Sequence, residues 1–135
     1  MAAPLGAVAP TGQQLQALLV NAIKLHEGGR AGEAARLYKS ILNHEPGNAF
    51  AKHFLGVLVM NEGGLEEALP LMRESVEAEP NNAAFHNNLG ELHRKAGRPV
   101  DAVRSFEACL RLDSTFVMAY CNIGSNVCPQ LFALN

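Results

Sequence analysis

Five histidines and three cysteines are the side chains of this 135-residue sequence best suited to metal or nucleophile chemistry. His86 and His93 stand seven residues apart, two turns along one helix, while His53 belongs to a different segment. A structural or catalytic zinc needs three or four converging ligands, and no neighbouring Cys or carboxylate completes such a set. The histidines therefore read as solvated or packing residues. Cys121 and Cys128 have no general base close by in sequence to activate them. Gly28-Gly29 and Gly63-Gly64 lack the GxxxxGK[ST] context that cradles phosphates. The expectation is a chain with no catalytic residue, no metal and no cofactor.

Composition narrows the partners. Apolar residues make up 48% of the chain and charged residues 18%, as in a soluble folded protein. Eleven basic and 13 acidic residues leave a net charge of −2, which favours neither nucleic acid nor an anionic membrane. The basic residues are scattered and rarely interleaved with aromatics, and no apolar run is long enough to span a bilayer. Residues 1–14 are rich in Ala and Pro without the basic start of a secretory signal, and read as a flexible lead-in. An odd number of cysteines without CxxC spacing points to reduced thiols and a cytoplasmic setting.

The elements that must position any site follow from a repeat. Glu33-Ala34, Glu67-Ala68 and Asp101-Ala102 are one acidic-Ala pair recurring every 34 residues. Gly29, Gly63 and Gly97 keep that step, as do Leu55-Gly56, Leu89-Gly90 and Ile123-Gly124. Tyr38, Met72 and Phe106 keep it, and so do Ile41, Ser75 and Cys109, which makes Cys109 a packing residue. Pro46 and Pro80 close successive units, with Ser114 in the third place. Each unit divides into two helices, the first at 16–27, 49–61, 83–95 and 117–126, the second at 31–44, 65–78 and 99–112. The glycines at 29, 63 and 97 fall where the chain reverses, and Pro99 suits a first helical turn. Pro70 lies well inside a second helix, which predicts a kink or a later helix start. One hairpin cannot bury its apolar face alone, so the hairpins must stack.

This pattern of Leu-Gly, Ala, aromatic and Pro resembles the tetratricopeptide repeat (TPR) family, over residues 15 to about 124. The nearest likeness is to the N-terminal repeats of O-GlcNAc-transferase-like proteins. The resemblance implies an all-α solenoid of about three and a half helix-turn-helix repeats, coiled as a right-handed superhelix. Units would span 15–48, 49–82 and 83–116, with a partial unit at 117–126 and a divergent apolar tail at 127–135. The sequence departs from the family where a large aromatic usually stands early in the first helix. Leu18, Lys52 and His86 replace it, and only Tyr120 keeps it.

In this family the first helices line a concave groove, which assigns a face to specific residues. Val20 and Ile23 would come from the first unit, and Phe50, His53, Phe54, Val57 and Met60 from the second. Asn87, Asn88, Glu91, Arg94 and Lys95 would come from the third, and Asn122 from the fourth. The groove is thus apolar at one end and polar at the other. Asn88 and Asn122 hold equivalent places, and an amide that both donates and accepts can pair with peptide backbone of any sequence. The resemblance implies such an asparagine ladder, here of two rungs because Val20 and Phe54 hold the earlier places. Solvated asparagines are the equal alternative. A carboxylate clamp is not supplied, since Leu19, Ile23, Met118 and Asn122 lack its remaining groups.

The expected function is a non-catalytic protein-interaction module, an adaptor or scaffold holding a polypeptide in the groove. The alternative is the truncated substrate-recognition region of an O-GlcNAc-transferase-like glycosyltransferase or another TPR-bearing enzyme. The fourth unit stops on the uncharged Leu131-Phe132-Ala133-Leu134, where a solenoid normally closes with a polar helix. Either that tail folds back over the last helix pair or the chain is a shortened form of a longer repeat protein, and self-association through the apolar tail is a third reading.

Overall fold

The computed structural model describes residues 8–123, and all the secondary structure there is helical. Seven helices follow one another: α1 (Gly12–Glu27), α2 (Ala31–His44), α3 (Ala49–Asn61), α4 (Leu65–Ala78), α5 (Ala83–Lys95), α6 (Pro99–Leu112) and α7 (Val117–Asn122). They pack as hairpins, α1 on α2, α3 on α4 and α5 on α6, and each hairpin docks on the next through α2–α3, α4–α5 and α6–α7 contacts. The odd-numbered helices also touch in succession, while the even-numbered ones make no comparable contacts with each other. Closer approach on one side bends the stack towards that side, so the odd-numbered helices form its concave wall.

Local chemistry sets the helix limits. Gly29, Gly63 and Gly97 have φ of 80°, 92° and 73°, left-handed values that a side chain rarely adopts. Each turn then closes in the same way, with the N–H groups of Arg30, Gly64 and Arg98 reaching back to the carbonyls of Leu25, Val59 and His93. Asn48 and Asn82 cap α3 and α5, accepting from the backbone N–H of Ala51 and Phe85. Helix α1 starts at Gly12, a turn before the expected 16. Thr11 and Gln14 form a capping box there, each side chain satisfying the other residue's backbone N–H.

Small residues set the distance within each hairpin. A Cβ on Gly56 would stand 2.5 Å from Met72, and one on Gly90 would stand 2.5 Å from the Phe106 ring. The equivalent pair in the first unit is Ala22 and Tyr38, both fully buried. Pro70 neither delays nor ends α4, which begins at Leu65. Its ring is on the exposed face, and the one carbonyl it leaves without a partner belongs to exposed Glu66, where water can reach it. The tail at 127–135, like the end of the fourth first helix beyond Ile123, lies outside the described residues.

Candidate functional site

The assigned groove residues divide into an exposed set and a buried set. Val20 and Phe50 are exposed by 44% and 39%, Lys95 is exposed, and Phe54, Val57, Asn88, Glu91, Arg94 and Asn122 are part-buried. Ile23 and Phe54 are half-buried against the first core cluster, and the Phe54 ring lies over Tyr38 at 5.9 Å between centroids. His53, Met60 and Asn87, assigned to the groove from the sequence, are instead buried, His53 against Phe85 of α5 and Met60 in the cluster with Met72 and Leu89. Those side chains fill the wall and do not present a surface. The sequence pattern hid this, since adjacent residues of a concave wall can face either a ligand or the next helix.

His53 is almost fully enclosed, at 1% exposure. Its ring stacks on Phe85 of α5 with centroids 4.0 Å apart and meets Phe54 edge-on at 5.2 Å. Burial pushes its pKa down from the ordinary 6.5 to about 4, so the ring is neutral near neutral pH. Nε2 lies 3.0 Å from the Asn88 amide nitrogen, while Nδ1 is buried with no partner. Asn87 donates to the Asn88 oxygen at 3.4 Å, and Asn122 donates to the Asn87 oxygen at 3.2 Å. The amides expected to meet a ligand are thus first of all joined to one another across the second, third and fourth units.

The charges beside them are also paired. Arg94 binds Glu91 one helical turn away through both carboxylate oxygens, a contact that raises the Arg94 pKa. Where the family aromatic is missing, polar contacts take over: Lys52 pairs with Glu74 of α4 at 3.1 Å, and His86 bonds the Pro80 carbonyl at 2.8 Å.

The other chemistry-bearing residues lie apart. His93 is buried at a place that Leu25 and Val59 hold in the preceding units, and burial lowers its pKa. Cys109 is fully buried and its thiol pKa is raised, chiefly by burial, which opposes nucleophile formation. Cys121 is exposed, and Cys128 lies outside the described residues. Among the described residues no three His, Cys, Asp or Glu side chains gather into a metal-holding group, and no helix is long and apolar enough to cross a membrane.

Comparison with known proteins agrees with the stacked-hairpin fold. The chain is 32% identical over 92 residues to the probable UDP-N-acetylglucosamine–peptide N-acetylglucosaminyltransferase SPINDLY of Arabidopsis thaliana, a match covering 68% of the chain and 10% of that relative. An O-GlcNAc transferase mutant of Thermobaculum terrenum superposes with a TM-score of 0.82 at 26% identity, over 87% of this chain and 22% of that one. The first TPR domain of Spaghetti (RPAP3), bound to an HSP90 peptide, superposes with a TM-score of 0.78 at 14% identity, over 87% and 93% of the two chains. The chain thus spans about a tenth of the curated relative and about a fifth of the transferase structure. Residues 55–115 match the tetratricopeptide repeat family, and the 34-residue step and the stacked hairpins carry the same helix-turn-helix unit through the rest of the described residues.

Proposed function

We propose that the array is a non-catalytic polypeptide-binding module whose partner lies along the odd-numbered helices. The observation that carries this reading is the exposure of Val20 and Phe50 on those helices. Half-buried Phe54 and Val57 extend an apolar strip, and Asn88 and Asn122 add amides that keep spare hydrogen-bonding capacity. An extended or amphipathic segment fits that mixture. The peptide held by the RPAP3 repeats supports this reading for the shared fold, although this chain lacks the groups of a carboxylate clamp.

Immobilised protein probed with a peptide library tests the reading. Retention should fall about tenfold or more in a Val20→Ala, Phe50→Ala double variant whose fold is verified by its helical circular dichroism, since the Phe50 ring also meets Phe85 edge-on. Retention unchanged by that variant, or no retained peptide at all, rules the groove out.

The likeness to SPINDLY and to the Thermobaculum transferase supports a second reading, in which the array selects substrates for a glycosyltransferase of which it is one part. Sequence continuous with the gene's 3′ end would decide it: an open frame encoding a transferase domain supports this reading, and its absence removes it.

A further inference from the structure

The His53–Asn88–Asn87–Asn122 bonds have a direction. An amide nitrogen only donates, so His53 Nε2 must accept from Asn88, and the neutral ring carries its proton on Nδ1. The Asn88 oxygen then accepts from Asn87, and the Asn87 oxygen accepts from Asn122. Turning over any single amide would set nitrogen against nitrogen or oxygen against oxygen at the next residue. The chain therefore survives only if all three amides turn together. The reversed chain requires the His53 proton on Nε2. Asn122 ends the chain in the drawn direction, and its oxygen bonds to no described residue.

We propose that buried His53, through this chain, sets which hydrogen-bonding group Asn122 offers on the concave wall. With the ring proton on Nδ1, Asn122 keeps its carbonyl oxygen for a ligand N–H. With the proton on Nε2, the same place offers an amide N–H. His53 is a positioning residue that touches no ligand itself. The relevance to a peptide rests on the groove reading, but the polarity of the chain does not.

Side-chain nitrogen NMR of the full chain at neutral pH, with no ligand present, tests it. Wild type should show the Nδ1–H tautomer at His53. Asn122→Asp, which can only accept at position 122, should reverse the chain and move the proton to Nε2, two repeats away. Asn122→Ala, which demands neither direction, should leave the proton on Nδ1. An Nε2–H tautomer in wild type, or no change of tautomer in a folded Asn122→Asp protein, overturns the proposal. Because no ligand is used, failure of the groove leaves this result standing.

Discussion

His53 concentrates the electrostatic cost of the wall in one side chain. Neutral in the fold with a pKa of about 4 and free to titrate near 6.5 when unfolded, it binds fewer protons folded than unfolded between those values. Stability from this group is complete above about pH 6.5 and is lost progressively towards pH 4, by about 3 kcal/mol at the acid limit. Burial shifts His93 in the same direction, which adds to the slope. Urea denaturation at a series of pH values checks this: replacing His53 by Gln should flatten the fall between pH 6.5 and 4. A slope unchanged in the variant would show that other groups carry it.

At the scale of the element, second helices are held by their small-residue contacts more than by propensity, and α4 shows it. It carries a proline at its sixth position without losing its expected limits, because Ala68, Met72 and Ser75 are anchored in the core while Pro70 faces water. Pro70→Ala restores one backbone hydrogen bond to the Glu66 carbonyl and relieves the ring clash. It should raise stability by about 1–3 kcal/mol, less the entropy the freer unfolded chain regains. Thermal unfolding should register this as a Tm higher by several degrees. A lower Tm would mean that the ring packs usefully where the structure has it exposed.

Across the whole molecule, stability is distributed over neighbouring interfaces. Three buried clusters run along the stack: the first joins α1, α2 and α3, the next lies around Met72 and Leu89, and the last is centred on Phe106. Phe106→Ala empties the space over Gly90 and should cost about 3–5 kcal/mol. Hydrogen exchange should then accelerate in α5, α6 and α7 well before α1 and α2. Uniform acceleration along the chain would instead indicate a single cooperative unit.

The one-dimensional features were legible in the residues. A period of 34, glycines at 29, 63 and 97, and the Gly56–Met72 and Gly90–Phe106 matches are local or nearest-neighbour constraints, and each leaves a mark at a fixed offset. The T-x-x-Q cap at Thr11 was equally legible and marks the start of α1 a turn before the apolar pattern does. The amide chain was not legible. Its links between repeats join residues 35 apart, one more than the period, because neighbouring hairpins are offset as they stack, and the remaining link joins adjacent Asn87 and Asn88. That offset turns Asn87 and His53 into the wall and leaves Asn88 and Asn122 at its surface. Sequence by itself determined the hairpins and their order, since backbone sterics and close helix contact act on residues near each other. Only the tertiary structure decided which polar groups are spent between repeats and which remain open, because burial depends on the angle at which one hairpin meets the next.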